Sequence, residues 1–418
     1  MIEIKPLPHC DAVVAVPGSK SYTHRALVVS ALAAGESLLI NALRCEDTEH
    51  TARALEKFGV RILREGDGLC VQGTGGKLQA GGEKIYLGDS GTSMRFLTAL
   101  AALKDGRTLL DGSERMRQRP MGRLLDGLVA LGVRAYSQEG DGCPPVIVES
   151  RGLTGGVVRI DGGESSQFLS ALLMVAPLAR GDVRIEVAGH LASRPYVDIT
   201  RDVMSAFGVE VQCAGDHSFF VPCGQRYLPR KYPIEADASN ASYFFAAAAI
   251  TGGKVRVENF RPASVQGDAG FLKILEKMGS EVNCGESFAE VRGKDLKGIE
   301  LDMNAMPDLV PTLAITAAFA RGKTVIRNIG HLRLKESDRI QSLASELAKM
   351  GVKVEEGEDW LSVEGGKVRA AEIETHNDHR LAMSFAVAGL AVPGMKIKGE
   401  QCVGKSFPEF WETLEKLY

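Results

Sequence analysis

The chain has 418 residues, 44% of them hydrophobic and 25% charged, and a formal net charge of -3 at pH 7. That length can bury a substantial core and holds two domains or a repeat array, while the near balance of charge excludes the global basic field that nucleic acid or an anionic membrane would need. The eight cysteines form no C-x-x-C pair, the nearest two being Cys213 and Cys223, so neither a zinc spacing nor a secreted disulfide framework is present and reduced thiols of a cytoplasmic protein are expected.

Residues 2–16 open the chain with two strand-like runs, and acidic Glu3 and Asp11 among them do not suit a signal peptide. Next comes Gly18-Ser19-Lys20-Ser21-Tyr22-Thr23-His24-Arg25, followed by an uncharged run to Gly35. A buried helix is expected here, with Lys20, Ser21 and Arg25 at its mouth. Its free N–H groups and positive dipole end suit a phosphate or carboxylate. Taken alone, the stretch is better read as a Ser-capped core helix with solvated cations, such caps being common.

The arrangement then recurs. Apolar runs end near Gly35, Gly106, Gly181, Gly252, Gly322 and Gly394, at intervals of 70 to 75 residues. Polar openers precede them: Asp89-Ser90-Gly91-Thr92, Glu164-Ser165-Ser166-Gln167, Asp237-Ala238-Ser239-Asn240, Pro307-Asp308 and Asn377-Asp378-His379-Arg380. The openers are helix starts and the glycines are expected to be helix stops. Each glycine is followed by a short strand and a second, amphipathic helix ending at Gly59, Gly132, Gly208, Gly279 or Gly351, then by alternating strand-like residues. Six such repeats are expected, the sixth stopping at Tyr418 short of its closing strands, which residues 2–16 could supply as a strand pair. Pro222, Pro229 and Pro233 crowd the junction of repeats three and four. The expected architecture is therefore α/β in two lobes of three repeats, 18–230 and 1–17 with 231–418, with the nearly charge-free first helices buried and the sheets outside. The longest uncharged stretch, residues 238–253, is shorter than the roughly 20 apolar residues that span a bilayer.

Cations gather at the first-helix openings and in the loops before the second helices: Arg115, Arg117 and Arg119; Arg194; Arg333, Lys335 and Arg339; Arg380 and Lys405. If the repeats are arranged alike, these positions converge in one cleft built for a multiply anionic small ligand. No P-loop competes, since Thr251-Gly252-Gly253-Lys254 and Gly73-Thr74-Gly75-Gly76-Lys77 lead into strands or turns. His376 and His379 flank Asp378 and could pair on a metal, but no third ligand stands by them, and a helix cap is the preferred reading.

Pro-Gly-Ser-Lys-Ser at 17–21 with Arg25, Asp-Ser-Gly-Thr-Ser-Met-Arg at 89–95, Arg-Gln-Arg-Pro at 117–120, Ser-Ser-Gln at 165–167, Pro-Asp at 307–308, Lys-Glu-Ser-Asp-Arg at 335–339, Asp-His-Arg at 378–380 and Lys-Ser-Phe-Pro at 405–408 resemble the 5-enolpyruvylshikimate-3-phosphate synthase family of enolpyruvyl transferases. The resemblance implies an inside-out α/β barrel in each lobe, with the N-terminal residues crossing back to the second. It implies transfer of the enolpyruvyl group of phosphoenolpyruvate to shikimate-3-phosphate by a cytoplasmic monomer that needs no metal or organic cofactor and is inhibited by glyphosate. Carried over by position, Ser21, Arg25, Ser165, Ser166, Gln167 and Ser193 would hold shikimate-3-phosphate, with Asp308 and Lys335. Lys20, Gly91, Arg119, Gln167, Arg339, Arg380 and Lys405 would bind phosphoenolpyruvate. Asp308 matches the proton acceptor and Glu336 the proton donor, with Lys20 counted beside them as catalytic. Many relatives have Asn where this chain has His331. Two other readings stay open: the sister transferase acting on UDP-N-acetylglucosamine, which typically has Lys-Asn near the start and a loop cysteine, neither found here, and a non-catalytic polyanion-binding repeat protein, which would need no acid and base.

Overall fold

The computed structural model describes residues 1–79 and 84–418. Its twelve α-helices among those residues are α1 (Lys20–Leu32), α2 (Glu46–Lys57), α3 (Gly91–Ala101), α4 (Gly122–Ala130), α5 (Ser166–Val175), α6 (Pro195–Ala206), α7 (Ala238–Thr251), α8 (Phe271–Met278), α9 (Val310–Ala318), α10 (Arg339–Lys349), α11 (His379–Ala391) and α12 (Phe410–Glu415). The chain divides into a first lobe, Gly18–Ile234, and a second, Met1–Pro17 with Glu235–Tyr418. Each has its own hydrophobic core.

Within each lobe the odd-numbered helices pack on one another, α1 and α5 on α3, and α7, α9 and α11 in a trio. They are buried almost all round; in α7 every residue from Ala238 to Ala249 is buried. Small and apolar side chains on all faces allow this, because a helix without a polar stripe has no face to give to water. The even-numbered helices α2, α4, α6, α8 and α10 keep a polar, exposed side, and strands pack on helices of both sets.

Among the described residues, five four-stranded sheets and one of three strands complete the repeats. Repeat two shows the pattern: strand Lys84–Tyr86 runs parallel to Asp105–Asp111, which is antiparallel to Val146–Arg151, with Arg134–Ser137 at the edge. The leading strand of repeat one is borrowed. Lys231–Pro233 pairs parallel with Leu38–Ile40, so residues 231–233, expected in the second lobe, lie in the first. In exchange, Asp11–Val14 pairs parallel with Lys254–Val257 in repeat four. The expected N-terminal strand pair therefore does not exist: Ile2–Glu3 alone completes repeat six, antiparallel to strand Lys396–Lys398.

The glycines divide by role. After the second helices, Gly59, Gly132, Gly208, Gly279 and Gly351 all have positive φ, and bonds such as Val60 N to Leu55 O and Gly59 N to Glu56 O close the helix end in the left-handed turn that favours glycine. The first-helix stops were expected at six glycines, yet Gly252 is the one that caps its helix. Gly35 and Gly106 lie inside the following strands, and Gly181, Gly322 and Gly394 fall beyond the helix ends.

Candidate active site

In the first lobe the openings of α1, α3 and α5 are capped as their sequences require: Ser19, Ser90 and Ser165 accept from Tyr22 N, Ser93 N and Gln167 N. Side chains lace these openings together. Lys20 Nζ sits 3.1 Å from Asp47 Oδ2 at the start of α2. His24 Nδ1 meets Thr51 Oγ1 at 2.8 Å, and that hydroxyl meets Ser93 Oγ on α3 at 2.7 Å. Gln167 Nε2 donates to Thr92 Oγ1 at 3.0 Å, joining α5 to α3. Burial holds the His24 ring down to about 3, against the pull of Asp47, so it is neutral.

Arg25 is spent largely on the protein. Nε donates to Thr200 Oγ1 at 2.7 Å, Nη1 to the Ser21 carbonyl at 2.9 Å, and Nη2 to Ser170 Oγ and the Tyr196 carbonyl at 3.4 and 2.9 Å. Four of its five N–H groups are thus taken. All four partners are neutral, and burial lowers its pKa to about 10. Arg119 is buried and lies over Gly91: a Cβ built there would meet Arg119 Nη2 at 2.6 Å. Ser166 and Ser193 are buried beside the helix openings of α5 and α6, Ser193 with φ of 56°. Arg117 leans away, its guanidinium paired at 2.9 and 2.7 Å with the two oxygens of Asp111.

The second lobe concentrates charge. Asp308 lies in the one-turn 3-10 helix Pro307–Leu309 that leads into α9, while Asp378 caps α11 by accepting from Arg380 N at 3.0 Å. Arg339, the first residue of α10, is 1% exposed and spreads its fork over three carboxylates. Nε donates to Asp378 Oδ2 at 2.7 Å, Nη1 to Asp308 Oδ1 at 3.0 Å and Nη2 to Glu336 Oε2 at 2.8 Å. Arg380 Nη2 donates to Asp308 Oδ2 at 2.6 Å, and Lys405 Nζ is 3.8 Å from Glu336 Oε1. Burial works against the Arg339 charge, but Asp378, Glu336 and Asp308 outweigh it and raise its pKa. Lys335 is half-buried three residues before Asp338, the cap of α10. His331 sits in the 3-10 turn Gly330–Leu334.

These cations are not the bare positive face that their sequence positions suggested. Lys20 in the first lobe, and Arg339, Arg380 and Lys405 in the second, each carry a carboxylate partner and are not unpaired charges. Of these carboxylates Asp308 and Glu336 were expected in the site, but Asp47 and Asp378 were not foreseen as partners of its cations. Asp47 lies 27 residues from Lys20, and Asp378 was read only as a helix opener although it also anchors Arg339 and Ser337. Asp268, buried against the Ser239 hydroxyl, is a further buried carboxylate that the sequence did not single out. Its burial and the nearby Asp308 charge push its carboxyl up. The Gln266-Gly267-Asp268 turn carries no signal of that in sequence. His376 turns to Glu346, and Asp378 caps α11.

The chain is matched over residues 4–414 by the family model described as EPSP synthase (3-phosphoshikimate 1-carboxyvinyltransferase). A relative named 3-phosphoshikimate 1-carboxyvinyltransferase from Nostoc punctiforme is 48% identical over 404 residues, which is 96% of this chain and 95% of the relative. One of the same name from Pasteurella multocida is 44% identical and covers 100% of this chain and 97% of its own. Among solved structures, an EPSP synthase from Acinetobacter baumannii is similar with a TM-score of 0.82 at 30% identity, covering 99% of this chain and 97% of that one.

Proposed function

The chain belongs to the EPSP synthase family, and on that premise we propose that its two lobes divide the family's reaction, recognition falling mainly to the first and proton transfer to the second. The reaction moves the enolpyruvyl group of phosphoenolpyruvate to the 5-hydroxyl of shikimate-3-phosphate and releases phosphate, on the shikimate route to chorismate and the aromatic amino acids. The hydroxyl oxygen bonds to C2 as a proton is added at C3. The tetrahedral intermediate then loses phosphate from C2 and the proton from C3, restoring the double bond.

Addition needs a base for the hydroxyl and an acid for C3, with fixed cations for a carboxylate and a phosphate. The observation that carries the reading is the fork of Arg339, which holds Asp308 and Glu336 in one buried frame with Arg380 and Lys405 beside them. Asp308 is the proton acceptor and Glu336 the donor in this reading. Arg339, Arg380 and Lys405 take phosphoenolpyruvate with Lys20, Gly91, Arg119 and Gln167. Ser21, Ser165, Ser166, Gln167 and Ser193 take shikimate-3-phosphate, with Lys335, Asp308 and the one N–H left on Arg25. None of these steps calls for a metal or organic cofactor. Glyphosate competes with phosphoenolpyruvate, and the protein works as a monomer in the cytoplasm; among the described residues no helix is long and apolar enough to cross a membrane.

Phosphate release from phosphoenolpyruvate tests the substrate pair. It is expected with shikimate-3-phosphate and not with UDP-N-acetylglucosamine; the reverse result would sink the reading.

A further inference from the structure

Asp378 ties Arg339, Ser337 and the first turn of α11 together, and its place is set by the two residues before it. His376 and Asn377 have φ of 51° and 55°. Two consecutive non-glycine residues in the left-handed region persist only where the surroundings hold them.

The hold comes from α10. Glu346 stands seven residues, or two turns, after Arg339 on that helix. Its side chain is 2% exposed. Oε1 is 3.0 Å from His376 Nε2, while Oε2 accepts from Glu374 N at 3.1 Å and from Lys349 Nζ at 2.6 Å. The Asp378 N–H in turn donates to the Thr375 carbonyl at 2.8 Å. One helix thus grips residues 374–378 at two points, Arg339 on the Asp378 carboxylate and Glu346 on the turn that delivers it.

We propose that Glu346 and His376 are positioning residues: their contact fixes the left-handed turn that sets Asp378, and through it Arg339 and Arg380, for phosphoenolpyruvate. A carboxylate this deeply buried, with its oxygens committed to the turn and to Lys349, is otherwise a poor choice for a core position, since burying its charge is costly unless something needs it there. The inference rests on the assignment of Arg339 and Arg380 to phosphoenolpyruvate given above.

The test compares Glu346→Ala, Glu346→Gln and His376→Ala with the parent, measuring kcat, KM for phosphoenolpyruvate, Kd for shikimate-3-phosphate and Tm. Glu346→Ala is expected to raise KM for phosphoenolpyruvate about tenfold, less than the roughly 100-fold that a 1 Å misplacement can cost. The Kd for shikimate-3-phosphate should stay within about twofold, because the first lobe holds most of that ligand in this reading. Glu346→Gln should recover most of the loss: its amide oxygen can accept from Glu374 N while its NH2 donates to the His376 ring in the other tautomer. His376→Ala should move KM the same way. Its side chain is 38% exposed, so it carries the test should Glu346→Ala fail to fold. A fall in Tm with KM unchanged, or equal weakening of both ligands, would overturn the proposal. Arg339→Lys separates the two ideas: if it leaves KM for phosphoenolpyruvate unchanged, the assignment of the cluster is at fault and the grip of Glu346 on the turn is not.

Discussion

One scaffold serves both lobes, yet two buried arginines, Arg25 in the first helix of repeat one and Arg339 at the start of the second helix of repeat five, have pKa values shifted in opposite directions. Arg25 in the first lobe donates to hydroxyls and carbonyls, and its pKa falls to about 10. Arg339 in the second is as deeply buried, but its partners are Asp378, Glu336 and Asp308, and its pKa rises. Burial penalises the charge in both places. Carboxylates decide the sign. Neutral partners leave the buried Arg25 charge uncompensated, whereas the carboxylates around Arg339 hold its charge in a fixed, paired frame.

The sharpest way to break this comparison is to remove both arginines in turn. Arg339→Met would leave Asp378 as an uncompensated buried charge while Asp308 and Glu336 keep Arg380 and Lys405, a loss that typically costs about 3–5 kcal/mol. Arg25→Met leaves only neutral acceptors unsatisfied and removes a charge that is costly to bury, so about 1–3 kcal/mol is expected. Chemical denaturation of each variant provides the measurement. Equal costs would mean that the carboxylate partners do not distinguish the lobes. Next in size is Asp308→Asn, which should keep shikimate-3-phosphate binding while turnover falls by roughly 100-fold or more, the usual worth of a positioned general base. Near-normal phosphate release from a folded variant would remove Asp308 from the mechanism.

What the sequence disclosed of this contrast follows from the range over which each feature acts. Helix caps and left-handed stops are local, so Ser19, Ser90, Ser165, Asp237 and Asp378 could be read as openers and Gly59 or Gly351 as stops. Gly35 and Gly106 misled because a glycine three or five residues past a helix looks the same in sequence whether it ends the helix or bends the next strand. The exchange of strands 11–14 and 231–233 between repeats one and four was hidden, since a strand's partner is not written in its own residues. The partners of the cations were hidden for the same reason. Lys20 and Asp47, or Arg339 and Asp378, are neighbours only once two helices lie side by side, and counting cations without them overstated the positive charge of the site.

A third difference between the lobes lies in what joins their central helices. In the second, hydroxyls of Ser242, Thr312 and Ser384 link α7, α9 and α11 at 3.2 and 3.4 Å. In the first, the link from α1 toward α3 runs through His24, whose ring is held down to about 3 by burial. An unfolded histidine titrates near 6.5. Protons therefore favour the unfolded chain as pH falls from about 6.5 toward 3, and stability should drop by about 2 kcal/mol between pH 7 and 5 from this group alone. His24→Asn should flatten that part of the pH profile. Parallel profiles for parent and variant would show that His24 is protonated in the fold.

The smallest effect concerns how Arg119 is placed in the first lobe. Arg119 lies against Gly91, where the absence of a side chain lets its guanidinium approach the opening of α3. Gly91→Ala places a methyl 2.6 to 2.8 Å from that guanidinium, which must shift because it is the flexible end of a long side chain and the helix is not. Alanine also favours a helix over glycine by roughly 0.5–1 kcal/mol, so the fold should not suffer. The displaced Arg119 should raise KM for phosphoenolpyruvate by about tenfold, at the low end of the roughly 1–3 kcal/mol that one methylene-sized change in a pocket is worth. Glyphosate is one backbone atom longer between its carboxylate and its phosphorus than phosphoenolpyruvate, so it has less room to adjust and should weaken more. Inhibition curves for parent and variant at matched phosphoenolpyruvate saturation give the ratio. Equal inhibition would mean that residue 91 only turns the chain into α3, and that Arg119 rests there for reasons of packing.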